Sequence, residues 1–183
     1  MDTFHLIHAG SSRWSQRKAM DKSFELFAGE RLIGTLDFRS AFGTYAKVVT
    51  SIQSWTFKRV GFLNARITIR KPDEDLDYAT LYPRLFGDGA LQIMDGHTYH
   101  WAPLNFWRTK WVFYDSGDIP ILRFEEGTHE FNISEAFKTQ ADVFILDPSL
   151  DDIHLSLLVS LGFYLVVMYK NDAATGAAAA SAS

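Results

Sequence analysis

The sequence predicts a mainly β protein: a closed antiparallel barrel of about twelve strands that encloses one hydrophobic C-terminal α-helix. Up to about Asp147, short runs of alternating apolar and polar residues are separated by turn signals, a pattern typical of sandwiches and barrels. Residues 155–169 then read LSLLVSLGFYLVVMY, a helix without a polar face, which must be surrounded on every side. A barrel of this size is wider inside than its own side chains can fill, so the two features explain each other.

Length and composition favour one globular domain. The chain has 183 residues, of which 47% are hydrophobic and 22% charged, enough for a substantial core. The N-terminal residues do not follow the pattern of a signal peptide. Cysteine is absent, which excludes disulfides and thiolate chemistry. We therefore expect a cytoplasmic protein.

Three segments are predicted along the chain. Residues 1–22 contribute an N-terminal strand at 4–7 and a polar, basic connector. Residues 23–170 form the barrel, with the central helix at 153–169. Residues 171–183 are small and of low complexity, which predicts a frayed or disordered tail.

Turn signals define two hairpins within the barrel. Strands at 24–27 and 32–38 flank a short loop in which Gly29 can adopt positive φ. Strands at 90–94 and 97–101 flank a tight Asp-Gly turn. The other predicted strands are residues 45–52, 55–60, 65–71, 106–114, 121–125 and 141–146.

The apolar helix has two readings, and its length favours one of them. A bilayer-spanning helix needs about 20 apolar residues, whereas shorter runs are more often buried core helices. This run has fifteen residues and includes two serines and a glycine, which favours a core helix, with a tail anchor as the alternative. The side chains expected to fill the barrel are Leu155, Leu158, Leu161, Phe163, Leu165, Val166 and Met168.

Several segments resemble the tubby C-terminal-like superfamily, which includes the LURP-one-related proteins and the phospholipid scramblases. They are the hairpin FELFAGERLIGTLDF, the strand WVFYD with its return ILRFEEG, and the ending ADVFILDPSLDDIHLSLLVSLGFYLVVMY. The resemblance covers roughly residues 24–169 and implies a twelve-stranded barrel around a hydrophobic C-terminal helix. It implies no single activity, because the superfamily includes phosphoinositide-binding tethers, proposed scramblases and members of unknown role.

Positive charge is concentrated in one part of the chain. Between Asp37 and Asp73 there are seven basic residues and no acidic one, although the net charge of the protein is -4. Alternation in ARITIRK puts Arg66 and Arg70 on one face of a strand. If this strand pairs with its neighbour, a basic surface forms that could hold a phosphorylated head group. The candidate ligand-binding residues are Arg39, Lys47, Lys58, Arg59, Arg66, Arg70 and Lys71.

The predicted function is therefore that of a non-enzymatic binding module. It would bind an anionic phospholipid or phosphoinositide head group, or a protein partner at the membrane surface, as a peripheral protein. The resemblance implies the same, since tubby proteins bind phosphoinositides on the barrel exterior. Two alternatives stay open: a solvated face whose cations pair with acidic residues elsewhere, and a scramblase-like protein whose apolar helix enters the bilayer.

No catalytic motif, cofactor site or metal site is predicted. The sequence contains neither a G-x-S-x-G elbow nor a P-loop. His97 and His100 are three apart on a predicted strand and so point to opposite faces. The acidic loop KPDEDLDY lacks the glycine and the distal glutamate of an EF-hand. Asp151 and Asp152 are expected to stabilise the positive end of the helix dipole.

Nucleic-acid binding is not expected. Aromatic and basic residues alternate in FWRTKWVFY, which could provide stacking platforms for bases. The spacing of Trp107, Trp111 and Phe113 instead predicts one face of a barrel wall. A sequence pI of about 5.8 also argues against general affinity for polyanions.

Overall fold

The protein is a closed antiparallel barrel of twelve strands around a C-terminal helix, as predicted. The computed structural model describes residues 12–18, 21–40, 43–61, 64–84, 87–127 and 138–181. The strands are β1 (Ser12–Gln16), β2 (Ser23–Ala28), β3 (Arg31–Phe38), β4 (Ala46–Thr50), β5 (Ser54–Val60), β6 (Arg66–Arg70), β7 (Ala79–Pro83), β8 (Gly89–Ile93), β9 (Thr98–Pro103), β10 (Lys110–Tyr114), β11 (Pro120–Glu126) and β12 (Gln140–Ile145). The helix, α1, is Asp152–Ser181.

Each strand pairs with the next along the chain, and β1 closes the ring against β12. In that closing pair Trp14 lies opposite Ala141, and both are fully buried on the inner face. On the outer face Arg13 Nε donates to Asp142 Oδ1 at 2.6 Å. Closure leaves none of these twelve strands with an unpaired edge.

Two of these strands were not predicted. Residues 12–16 were assigned to a polar connector, which is wrong: they form β1, with Ser12, Trp14 and Gln16 buried in alternation. Polar residues hide this strand, since only one of its three inward side chains is apolar. The strand β7 was also missed. The predicted strand at 4–7 lies outside the described residues.

The strand predicted at 106–114 begins only at Lys110. Phe106 and Trp107 lie in the preceding turn and are 88% and 79% exposed. Asn105 Oδ1 accepts hydrogen bonds from the backbone N–H groups of Thr109 and Lys110, which folds the chain back before the strand starts. The prediction that Trp107 belongs to the barrel wall is therefore wrong.

The helix α1 fills the barrel and is buried from His154 to Tyr164. The indole of Trp14 donates to the carbonyl of Val159 at 3.2 Å and stacks on Phe163 with ring centroids 5.0 Å apart. The indole of Trp55 donates to Ser156 Oγ at 3.2 Å. All the predicted filling residues are buried except Leu165, which is half-buried.

The predicted end of the helix at residue 169 is wrong, because α1 continues to Ser181. Residues 171–181, predicted to be a disordered tail, are helical and exposed. Alanine, the best helix former, dominates this extension, so it needs no packing to favour the helical state. By length and composition α1 could cross a membrane, but 83% of its most apolar window is buried inside the barrel.

Candidate functional site

The basic residues on the outer wall are brought together by the pairing of β5 with β6. The register places Lys58 opposite Thr68, Thr56 opposite Arg70, and Val60 opposite Arg66. In β6 the apolar Ile67 and Ile69 face the core, so Arg66 and Arg70 both project outwards, as the alternation predicts.

These outer faces form one wall of a groove of about 540 Å³. The other wall is the loop that joins β6 to β7, residues 71–78. Four of the seven predicted ligand-binding residues line the groove: Lys58, Arg66, Arg70 and Lys71. The hydroxyl-bearing side chains Thr56 and Thr68 also line the groove, and in the β5–β6 pair they lie opposite Arg70 and Lys58.

The loop brings four acidic residues to the same groove, namely Asp73, Glu74, Asp75 and Asp77. Arg70 Nε donates to Asp77 Oδ1 at 2.6 Å, and Lys71 Nζ lies 5.2 Å from the centre of the Tyr78 ring. Within the described part of the chain, Lys58 and Arg66 contact no carboxylate. The groove is therefore neutral in formal charge, but two of its basic side chains form no ion pair with a described residue.

The other three predicted residues do not line the groove. Arg59 lies on the opposite side of β5 from Lys58 and makes a bidentate ion pair with Asp172 of α1, at 2.6 and 3.0 Å. The hydrogen bonds that Arg59 donates to this carboxylate raise the pKa of Arg59. Arg39 and Lys47 are exposed on or beside the neighbouring strands.

A second cluster, which the sequence did not reveal, lies where α1 begins. The turn between β8 and β9 supplies Asp95 and His97, and the first turn of α1 supplies His154. Asp95 Oδ2 lies 2.9 Å from His154 Nε2, and Asp95 Oδ1 lies 3.0 Å from His97 Nδ1. On its other side, His154 Nδ1 lies 3.0 Å from Asp151 Oδ2 and 3.0 Å from the Tyr99 hydroxyl.

Burial and hydrogen bonding shift two pKa values in this cluster. Burial raises the pKa of Asp95, but the backbone and side-chain hydrogen bonds of His97 and the hydrogen bond of His154 outweigh it and lower the pKa overall. Burial, with the nearby carboxylates of Asp151 and Asp95, raises the pKa of Tyr99 to about 12. The cluster therefore favours negative charge on Asp95 and a neutral phenol on Tyr99 at neutral pH.

Asp151 also begins the helix. Its Oδ1 atom accepts the backbone N–H groups of Ile153 and His154, both at 3.0 Å, and so caps the N-terminus. This agrees with the predicted role of Asp151 at the positive end of the helix dipole. Its second oxygen remains available for the ring of His154, which couples the cap to the cluster.

Sequence reasoning missed this cluster because its members are far apart along the chain. His97 was compared with His100, its neighbour in sequence, while His154 is 57 positions away. The available signal was a histidine directly after the Asp-Gly turn and another in the first turn of the apolar helix. Only the closed barrel shows that these two places meet.

Comparison with protein-family models, with curated proteins and with solved structures gave no match. The resemblance to the tubby C-terminal-like superfamily therefore stays a prediction.

Proposed function

We propose that this protein is a non-enzymatic binding module that holds a phosphate-bearing lipid head group in the groove between β5, β6 and the loop at 71–78. One observation carries the proposal: Lys58 and Arg66 line the same groove and contact no carboxylate among the described residues. The module would act as a peripheral protein at the cytoplasmic face of a membrane.

The chemistry of the groove suits a phosphate monoester. A guanidinium can donate two parallel hydrogen bonds to phosphate oxygens, and an ammonium adds a point charge beside it. Arg66 and Lys58 supply one of each. The acidic loop opposite them would repel an extended anionic surface. We therefore propose that the groove binds a single head group, and not that all seven basic residues bind one membrane surface.

Such binding would be weak and reversible. Near an anionic leaflet each cation contributes roughly 1 kcal/mol, and the contribution disappears beyond a Debye length. Two free cations would therefore contribute about 2 kcal/mol, or about 30-fold in affinity. The resemblance to the phosphoinositide-binding tubby proteins supports the same proposal.

The packing of α1 argues against the alternative of a scramblase with its helix in the bilayer. If α1 left the barrel, it would lose the hydrogen bonds that it receives from the indoles of Trp14 and Trp55. It would also lose the bond that its own Tyr164 hydroxyl donates to the carbonyl before β4. Its departure would also expose the aromatic interior of the barrel to water. The burial of these side chains therefore favours a binding module over a membrane-inserted protein.

Flotation with liposomes tests the proposal. At low salt, we expect recovery with liposomes that contain phosphoinositides and little recovery with neutral ones. The double variant Lys58→Ala, Arg66→Ala should lose most of this binding. The matched control, Arg39→Ala with Lys47→Ala, removes the same charge from exposed positions outside the groove and should retain it. Equal recovery with neutral and anionic liposomes, or equal losses in both double variants, would contradict the proposal.

A further inference from the structure

We propose that Asp95, His97 and His154 form a binding site for a divalent transition-metal ion, with zinc as the best fit. The site lies at the end of the barrel where α1 begins and shares no residue with the lining of the groove between β5 and β6. It would fix the first turn of the central helix to the turn between β8 and β9. This inference is independent of the proposed lipid binding.

The ligand atoms already converge. One ligand atom from each of the three residues lies within 4.8 Å of the other two. The two oxygens of Asp95 each lie close to one histidine, Oδ2 at 2.9 Å from His154 Nε2 and Oδ1 at 3.0 Å from His97 Nδ1. Because Zn–N and Zn–O bonds are about 2.0–2.2 Å, ligand atoms of a tetrahedral site lie about 3.4 Å apart. Small side-chain movements would bring these atoms into such a site.

The surroundings of His154 suit a metal-ligating imidazole. A neutral imidazole has only one N–H group, yet both ring nitrogens of His154 face carboxylate oxygens, those of Asp95 and Asp151. If Nδ1–H donates to Asp151, Nε2 presents its lone pair towards Asp95. In that tautomer an ion between Nε2 and Asp95 would bind both the lone pair and the carboxylate; without an ion, the Tyr99 hydroxyl can donate to Nδ1 and Nε2–H to Asp95. A metal-ligating histidine typically has such a carboxylate on its other nitrogen, which fixes the tautomer and the ring orientation.

The type of ligand atom, two imidazole nitrogens and one carboxylate oxygen, favours zinc or a related ion over calcium. Imidazole suits zinc and the later transition metals, whereas calcium takes oxygen ligands. The adjoining cavity of about 520 Å³ is also lined by Asp115 and Asp147. The Oδ1 atoms of both are occupied by their own turns. Asp95 and His97 line this cavity, so water could reach an ion held by them and His154 and complete its coordination.

The proposed ion would stabilise the barrel. Two ligands lie on the rim and the third on the helix inside it, so only the folded state holds all three together. An ion that binds the folded state and not the unfolded one raises the stability by mass action. We therefore expect zinc to raise the melting temperature of the protein.

Calorimetric titration of the untagged, metal-stripped protein with Zn²⁺ tests the site. We expect one ion per chain and a higher melting temperature with zinc. His97→Ala removes an exposed ligand and should lower the affinity by at least about tenfold. His100→Ala removes an imidazole from the same hairpin, on the other face of β9, and should bind zinc as the wild type does.

Two further measurements separate metal binding from a purely structural role. Asp95→Asn keeps an oxygen that can accept the backbone N–H of His97 but weakens the ligand, so it should fold without zinc and lose the stabilisation by zinc. Co²⁺ should give visible absorption bands typical of nitrogen and oxygen ligands, absent from His97→Ala. The proposal is overturned if the wild type does not bind zinc, or if His97→Ala binds it as tightly as His100→Ala. The variant Lys58→Ala, Arg66→Ala should bind zinc normally, which separates this site from the groove.

Discussion

At the scale of single residues, Gly162 decides how closely α1 can approach the barrel wall. A Cβ atom at this position would overlap the ring of Phe124 and lie 3.1 Å from Phe113 Cε2. Both rings are fully buried and pack against Trp101. We expect Gly162→Ala to lower the free energy of unfolding by at least about 2 kcal/mol, because overpacking outweighs the gain in helix propensity. Urea unfolding of the variant measures this loss.

Gly176 is the matched control in the same helix. A Cβ atom there would meet nothing within 4 Å, and the residue lies in the exposed extension of α1. Gly176→Ala should therefore leave the stability unchanged or raise it by up to about 1 kcal/mol. A loss in both variants would show that the close approach at Gly162 is not the cause.

The residues that the sequence could predict are those whose roles depend on local periodicity. Alternation alone puts Arg66 and Arg70 on the same side of β6, and the structure has them there. The ion pair of Arg59 with Asp172 joins residues 113 positions apart. No local pattern contains such a pair, because it depends on which end of the helix emerges beside β5.

At the scale of elements, the helix was easier to predict than its end. A run of fifteen residues without a polar face identifies a buried helix, and the structure shows it inside the barrel. The apolar run ends at Tyr169, which predicted that the helix ends there. The alanine-rich residues that follow favour the helical state, and the helix continues to Ser181. Burial and helix formation are separate properties, and the sequence reveals the first more clearly than the second.

A charge in the middle of α1 tests whether the barrel is the true environment of this helix. Leu161 is fully buried, and Leu161→Lys would place an unpaired ammonium in the core. We expect a loss of more than about 4 kcal/mol, seen as unfolding or insolubility. The control Ile153→Lys changes a 44% exposed residue of the same helix and should fold normally. If Leu161→Lys instead gave a folded, soluble domain, the helix would have to reside elsewhere, as a membrane anchor does.

At the scale of the whole molecule, closure makes every strand depend on its neighbours. The alternation of polar and apolar residues predicts the number of strands approximately, and the apolar helix, which must be enclosed, predicts the closed ring correctly. It did not show which segment closes the ring. That segment is β1, whose buried Ser12 and Gln16 resemble a connector in composition but form the ladders with β2 and β12.

Truncation should therefore destabilise the protein at the N-terminal end of the chain and have little effect at the C-terminal end. Removing residues 1–16 deletes β1, leaves β2 and β12 without their shared partner, and takes away the Trp14 ring that stacks on Phe163. Unpaired strand edges promote aggregation, so we expect this truncation to be insoluble. Removing residues 174–183 deletes the exposed last part of α1, from residue 174 to Ser181, and should change the stability by less than about 0.5 kcal/mol.

The single variant Trp14→Ala keeps the chain intact and isolates the part played by this side chain in closing the barrel. It removes a fully buried indole, its stacking on Phe163 and its hydrogen bond to Val159. Substitutions of this kind cost about 3–5 kcal/mol, and we expect a loss in that range by urea unfolding.

The truncation has its own contradicting outcome. If the protein without residues 1–16 folded with unchanged stability, β2 and β12 would have to close the barrel without β1.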